Sequence, residues 1–124
     1  MGIGIGVDII ALSRIKDAIE TSGDVFLNKV FTNWERERAQ SHPNPDAYFA
    51  MTFAGKEAIF KLFHIGWEAG VKLTEIEIRE GPHGEPIPTL SGVFARIAKD
   101  KNVTEIVISL SYDTDYAIGV ASMQ

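Results

Sequence analysis

The chain has 124 residues, no cysteine and a formal net charge of −5, with 12 Lys and Arg against 17 Asp and Glu. The length predicts one domain over residues 1–124, the 45% hydrophobic content excludes a disordered chain, and the lack of cysteine excludes disulfides and thiol catalysis. The acidic balance argues against a nucleic-acid surface, and without an apolar run of ~18 residues or a signal segment we expect a cytoplasmic protein that is not in the membrane.

The first predicted element is a strand over residues 2–10, GIGIGVDII. Its apolar side chains alternate with glycines, so the glycines share one face with Asp8. Because glycine has no side chain, another backbone or a ligand can approach that face closely. Asp8 itself is interpreted in two ways, as an acid that accepts hydrogen bonds from nearby backbone N–H groups or as part of a site.

Helical segments follow this strand. Ser13 is predicted to cap a first helix that ends at Gly23, and residues 24–31 form a short helix or turn. Thr32 and Glu35 have the spacing of a capping box at the start of a polar helix, NWERERAQ. The stretch SHPNPD then breaks the helical pattern.

The longest predicted helix begins at Asp46, continues through AYFAMTFAGKEAIFKLF and ends at Gly66 and Gly70. A strand is predicted for LTEIEIRE, and the following GPHGEPIP for a turn-rich connection. Ser91 is predicted to cap a helix that stops near Asn102.

The last two predicted strands are EIVISLSY and YAIGVASM, which alternate in polarity and are joined by a short polar DTD. This pattern is typical of a hairpin. The predicted order β-α-α-α-β-α-β-β, with antiparallel strands at the end, indicates an α+β fold.

Glu57 lies on the long helix, and its neighbours at helical spacing are Phe53, Phe60, Lys61 and His64. The carboxylate therefore points along a partly aromatic stripe, where it needs a partner. One interpretation is an ordinary ion pair with Lys61, which is four residues further on.

The alternative joins the two acids in one metal site. Magnesium takes one or two protein carboxylates and completes its octahedron with water and phosphate oxygens. Asp8 on a glycine-faced strand and Glu57 on a helix would suit this ion, and Lys61 could neutralise phosphate charge.

Four stretches of the chain, in this order, resemble one known family. GIGVDII is similar to its G-x-G-x-D-I-I motif and FAGKEAIFK to its F-A-G-K-E-A-x-x-K motif, and the resemblance continues through GEPIPTLSG and ISLSYDTDYAIGVA. The family is holo-(acyl-carrier-protein) synthase, the short-chain 4′-phosphopantetheinyl transferases. The resemblance covers the whole chain and implies a small antiparallel sheet packed against a long central helix.

The resemblance also implies a function. Family members transfer 4′-phosphopantetheine from coenzyme A to a serine of an apo acyl carrier protein and release 3′,5′-ADP, which places the chain in fatty acid biosynthesis. Asp8 and Glu57 match the Mg²⁺ ligands and, with Lys61, form the implied catalytic set. The serine proton would pass to Glu57 or to a metal-bound water. Family members form trimers with active sites between subunits.

Coenzyme A contacts are implied for Lys56, Lys61, His64, Gly66 and Tyr112. The chain departs from the family at two of these places. Tyr112, followed by Asp113, replaces the usual S-H and brings no positive charge to the 3′-phosphate, and the sequence His-Ile-Gly replaces G-T-G after the long helix. His64 is interpreted either as a replacement charge or as a histidine favoured by the helix C-terminus.

Carrier docking is predicted for Arg14 and Lys16, because an acidic carrier needs local positive charge on an acidic enzyme. The alternative for both residues is a solvated helix face. Two alternatives are a non-catalytic subunit that binds or assembles carrier proteins and a small Mg²⁺-dependent diphosphate hydrolase.

Overall fold

The computed structural model describes residues 4–124, so the start of the predicted first strand lies outside the described residues. Two single 3₁₀ turns, Trp67–Ala69 and Leu73–Glu75, connect the third helix to the second strand. The regular elements, in chain order, are β1 Gly4–Ala11, α1 Leu12–Val30, α2 Asn33–Gln40, α3 Pro45–Leu62, β2 Ile76–Glu80, β3 Pro86–Leu90, α4 Gly92–Asp100, β4 Ile106–Tyr112 and β5 Tyr116–Met123.

The larger sheet has three antiparallel strands in the order β1-β5-β4. The predicted hairpin of the last two strands is confirmed, and β5 lies in the middle of the sheet. Asp8 pairs with Gly119 of β5. Since β2 and β3 form a separate antiparallel pair, the predicted α+β class is confirmed.

Glycines let helix α3 lie almost on the backbone of the larger sheet. A Cβ atom on Gly6 would lie 2.2 Å from the carbonyl oxygen of Ala58, and one on Gly119 would lie 2.6 Å from the carbonyl carbon of Ala54. These distances are far below van der Waals contact. The predicted close approach on the glycine face is therefore made by the backbone of α3, and it brings this helix next to Asp8.

Helix α1 is bent at Gly23, whose φ of 49° and ψ of −125° are not helical. The predicted end of the first helix thus coincides with the bend, and the predicted short helix continues from it. At the start of α2 the capping box is confirmed: the N–H of Glu35 donates to Thr32 Oγ1 over 3.3 Å, and the N–H of Thr32 donates to Glu35 Oε1 over 2.9 Å.

The predicted limits of the central helix α3 are shifted. Asn44 caps its start by accepting the N–H of Ala47 over 3.2 Å, so the helix begins one residue before the predicted Asp46. The helix already ends at Leu62, and the predicted stop at Gly66 is wrong. The chain leaves the helix at His64, which has a positive φ of 52°.

Strand β3 falls in a stretch that was predicted to be a turn-rich connection. Pro86 and Pro88 both lie within it, and proline donates no hydrogen bond to a neighbouring strand. Since β3 is hydrogen-bonded only to β2 among the described strands, its other edge needs no backbone donors and proline is tolerated there. The predicted strand LTEIEIRE is also shorter than expected, because its first three residues form a 3₁₀ turn.

Helix α4 is capped by Glu75 from outside the helix. Ser91 occupies the N-cap position but makes no side-chain cap, contrary to prediction. Instead, the Glu75 carboxylate accepts the N–H groups of Val93 and Phe94 over 3.0 and 3.2 Å. Within residues 4–124, none of the helices combines the length and the apolar composition that a bilayer crossing needs.

Candidate active site

Lys61 joins helix α3 to strand β1 at Asp8. Its Nζ lies 3.1 Å from Asp8 Oδ1 and donates to the carbonyl of Val7 over 3.0 Å. The Asp8 side chain is 17% exposed and that of Lys61 is 53% exposed, so the pair lies at the surface end of the helix–sheet contact. Lys61 and Asp8 are therefore direct neighbours, as a shared phosphate or metal site would require.

Glu57 lies one turn before Lys61 on the same helix. Burial raises the pKa of the Glu57 carboxyl, the negative charge of Asp8 raises it further, and the positive charge of Lys61 opposes both. Across residues 4–124 Glu57 makes no ion pair within 4.0 Å, and Lys61 bonds to Asp8 instead. The predicted simple pair of Glu57 and Lys61 is not formed, and Glu57 is left half-buried beside a second acid.

A cavity of about 790 Å³ opens beside Glu57. One part of its wall is Trp67, which is 53% exposed and stacks on Phe60 with the ring centroids 4.2 Å apart. The cavity combines apolar walls with two lysines and one acid. Its lining residues are Asn28, Lys29, Val30, Phe53, Glu57, Trp67, Val71, Lys72, Leu73 and Thr74.

The two acids fit a magnesium ion. Both are hard oxygen donors, and this ion takes one or two protein carboxylates. Burial and the neighbouring Asp8 raise the pKa of Glu57 and so disfavour its charged form, which a bound cation would favour. Within the described ranges no group of three or more His, Asp or Glu is assembled for a metal. The chain thus offers a small carboxylate pair rather than a closed metal cage.

The predicted coenzyme A contact of Lys56 does not fit its position, which is fully buried. The ammonium group lies 2.6 Å from Glu35 Oε1 and donates to the carbonyls of Val30 and Leu73. Burial lowers the pKa of Lys56, and the charge of Glu35 opposes this. Since all three N–H groups have acceptors inside the protein, we assign Lys56 to the interior and not to the ligand.

The other residues predicted to contact coenzyme A lie at the surface. Tyr112 is the last residue of β4 and is 42% exposed, and His64 is exposed just after α3. Gly66 directly precedes the turn that brings Trp67 to the cavity. The Asp113 carboxylate accepts the N–H of Thr114 over 2.8 Å, so it is partly occupied by its own turn. These contacts remain predictions.

Arg14 and Lys16 are both exposed on the first segment of α1, while Ile15 between them is 2% exposed. The helix thus holds its inner face in the core and presents both cations to solvent. This arrangement suits a docking surface for an acidic partner, and it equally suits a solvated face.

Sequence reasoning missed the walls of the cavity and the partner of Lys56. Trp67 carries no functional signal in the sequence, because a tryptophan is more often part of a core or an interface than of a ligand site. Glu35 was recognised as a capping residue only, and a long-range pair with a residue 21 positions away leaves no signal in one sequence. The small and apolar residues Ala54, Gly55 and Ala58 around Lys56 and Glu57 are a hint of burial on this helix.

Residues 4–121 match the family model of the 4′-phosphopantetheinyl transferase superfamily. The chain is 36% identical over 121 residues to a holo-[acyl-carrier-protein] synthase of Desulforudis audaxviator, covering 98% of this chain and 92% of that relative. It is 38% identical over 117 residues to the protein of the same name from Aquifex aeolicus, covering 94% of each.

Solved structures give the same result. The holo-[acyl-carrier-protein] synthase of Neisseria meningitidis superimposes with a TM-score of 0.89 at 25% identity, over 98% of this chain and 97% of that one. The Helicobacter pylori synthase in complex with coenzyme A gives 0.83 at 27% identity, over 97% and 99%. The sheet, the central helix and the sequence matches agree, and the chain belongs to the 4′-phosphopantetheinyl transferase superfamily.

Proposed function

We propose that this chain transfers 4′-phosphopantetheine from coenzyme A to a serine hydroxyl of an acyl carrier protein, with Mg²⁺, and releases 3′,5′-ADP. The proposal rests on one observation above all. Asp8, Glu57 and Lys61 converge where β1 meets α3, and a large cavity begins at Glu57. The similar synthase from Helicobacter pylori holds coenzyme A, which supports the same substrate here.

The reaction breaks the diphosphate of coenzyme A. The serine oxygen forms a bond to the phosphorus that carries pantetheine, the bond from that phosphorus to the ADP oxygen breaks, and the serine proton passes to the Glu57 carboxylate or to water. Asp8 and Glu57 would hold the Mg²⁺. When bound, the ion offsets negative charge on the diphosphate and on the leaving ADP.

The ammonium group of Lys61 would also bind the substrate. It is tied to Asp8 and to the Val7 carbonyl, yet more than half of its side chain is exposed. It can therefore donate to a phosphoryl oxygen that enters beside the two acids, where its charge stabilises the transition state. If Lys61 turns from Asp8 to the phosphoryl oxygen, the Asp8 carboxylate becomes free to bind the metal.

Carrier binding is proposed for the exposed face of α1 that holds Arg14 and Lys16. The chain has a net charge of −5, so an acidic carrier needs a local patch of positive charge. Lys29 and Lys72 at the cavity add two further cations on the way to Glu57.

A trimer is proposed from the outer face of the larger sheet. Six apolar side chains there are between 37% and 75% exposed. They extend across all three strands, and a continuous apolar patch of this kind marks an interaction surface. The residues are Ile5, Val7, Ile9, Val107, Ile118 and Val120.

The direct test is mass spectrometry of several apo carrier proteins after incubation with this chain, coenzyme A and Mg²⁺. We expect the addition of one phosphopantetheine, formation of 3′,5′-ADP in equal amount, and loss of both when EDTA is present. No addition to any carrier, together with no binding of coenzyme A in calorimetry with Mg²⁺ present, would instead indicate a non-catalytic carrier-binding subunit. ADP release without a carrier would indicate a hydrolase.

A further inference from the structure

Lys56 is a buried cation whose three N–H groups each have an acceptor. The acceptors are Glu35 Oε1 at 2.6 Å, the Val30 carbonyl at 2.7 Å and the Leu73 carbonyl at 3.1 Å. An ammonium group has three donors and no acceptor, so its hydrogen-bonding capacity is filled. Three separate parts of the chain thus meet at one atom of α3.

Two of these parts are helix ends. Val30 is the last residue of α1, where carbonyls lack partners within the helix, and Glu35 lies in the first turn of α2. A cation is favoured at a helix C-terminus and an anion at an N-terminus. Glu35 also accepts the N–H of Ile78 over 2.7 Å, which adds strand β2 to the same network.

The two residues that supply these carbonyls also line the candidate active site. Val30 and Leu73 both line the cavity beside Glu57, on the C-terminal end of α1 and on the 3₁₀ turn before β2. Lys56 directly precedes Glu57, and successive residues of a helix point about 100° apart. The same turn of α3 therefore places Glu57 at the cavity and, through Lys56, binds Val30 and Leu73, two residues of the cavity wall.

We infer that Lys56 is a positioning residue, whose ammonium group fixes the Val30 and Leu73 walls of the cavity relative to Glu57. The inference rests on the proposed function and assigns Lys56 no contact with substrate. A buried ion pair adds little net stability compared with apolar side chains of similar volume. Two apolar residues at positions 35 and 56 would leave the Val30 and Leu73 carbonyls without a donor. The two segments would then lack a shared hydrogen-bond partner.

The test separates positioning from stability by means of two variants. Lys56→Met/Glu35→Gln removes both charges and keeps an acceptor for the Ile78 N–H, so no charge is left buried. We expect it to fold but to lose at least about tenfold in kcat at 25 °C, with KM for coenzyme A changed less, because small displacements near reacting groups are costly. Glu35→Gln alone removes the counter-ion of Lys56 and should lower Tm. The neutral amine still has two N–H groups for the two carbonyls, so kcat at 25 °C should stay within about twofold.

Ile108→Ala is the control for lost stability, because Ile108 is buried in β4 and does not line the cavity. It should lower Tm and leave kcat unchanged. A double variant with wild-type kcat would overturn the inference. So would a Glu35→Gln variant that loses as much activity as the double variant.

Hydrogen exchange supplies a readout that does not need activity. In the double variant we expect faster exchange in peptides covering residues 29–31 and 71–74, with β4 and β5 unchanged. Equal exchange in wild type and variant would reject the tie between the walls. If the wild type transfers nothing to any carrier, the proposed function fails, while the exchange result still decides the role of Lys56.

Discussion

Asp8 and Glu57 are neighbouring acids that could bind one cation such as Mg²⁺. Asp8 already bonds Lys61, whereas Glu57 lies beside Asp8 without an ion pair of its own across residues 4–124. The folded chain therefore holds more negative charge at this point than it neutralises. Sites with such uncompensated charge commonly carry function rather than stability.

Removing either acid should abolish transfer without unfolding the chain. For Asp8→Asn and Glu57→Gln we expect kcat/KM to fall at least about 100-fold, because each would remove a carboxylate ligand of the proposed Mg²⁺, whose charge offsets that of the reacting diphosphate. Neither side chain belongs to the apolar core, so the circular dichroism spectrum should stay the same. Glu20→Gln, an exposed change on α1, should keep full activity. Full activity in either acid variant would exclude the proposed metal site.

The raised pKa of Glu57 makes the stability of the chain depend on pH. A carboxyl whose pKa is higher in the folded state binds its proton more tightly there, so stability falls as pH rises from the unfolded pKa to the folded one. Glu57→Gln has no such group. We therefore expect the free energy of unfolding of the variant minus that of wild type to be larger at pH 7.5 than at pH 4. Urea unfolding without Mg²⁺ measures both values. An equal difference at both pH values would contradict the shift.

Among the elements, β1 and α3 are held together more closely than side chains would allow. The contacts made by Gly6 and Gly119 leave no room for even a methyl group. The position of Glu57 relative to Asp8 is therefore a property of the helix–sheet spacing.

Gly6→Ala should displace the central helix. The carbonyl of Ala58 would have to retreat by about 1 Å, and a misplacement of this size near reacting groups can cost up to about 100-fold in rate. Gly4→Ala is a matched control, because its Cβ would meet only side chains, with the Met123 Cε nearest at 3.1 Å. We expect a large loss of kcat and a lower Tm in Gly6→Ala only. Similar results for the two variants would show that the spacing does not matter.

Helix α4 depends on a residue that precedes it by 17 positions. Glu75→Ala removes the acceptor of the Val93 and Phe94 N–H groups and should lower the free energy of unfolding by about 1–2 kcal/mol. Ser91→Ala, at the sequence-predicted cap, should cost a few tenths of a kcal/mol at most, since Ser91 makes no side-chain cap. Chemical denaturation of both variants tests this, and the reverse order would contradict the structure.

Local signals predicted most of the elements, and long-range contacts decided what was missed. Alternation predicted the β4–β5 hairpin, and the spacing of Thr32 and Glu35 predicted the cap of α2. Strand β3 was missed because Pro86 and Pro88 are turn signals, and only its edge position makes them acceptable. The convergence of Asp8 with Lys61, 53 residues apart, came from family motifs and not from any local pattern.

At the scale of the whole molecule, one face of the larger sheet is unusually apolar for a surface. Its inner face packs on α3 through glycine and alanine, while the outer face presents isoleucine and valine to solvent. Burial of such side chains is worth about 25 cal/mol per Å² of apolar surface. In a single chain these side chains stay exposed to water, and the free energy of burying them is not gained.

Charge on the outer face should keep the chains apart. Ile118 and Val120 lie on the middle strand and are 37% and 38% exposed. For Ile118→Lys/Val120→Lys we expect a monomer by light scattering, where wild type has the mass of three chains. Lys101→Glu, an exposed change after α4, should not alter the mass. A monomeric wild type would reject the proposed trimer.

The burial of Lys56 also bears on covalent labelling of the protein. An amine-reactive reagent meets Lys61 at the surface, whereas the amine five positions earlier is sealed inside the folded chain. Lys56 can be acylated only during the brief openings that expose the interior. The rate of its modification would measure how often the interior beside Glu57 opens. A reagent that modifies both lysines of α3 would therefore modify Lys61 faster than Lys56.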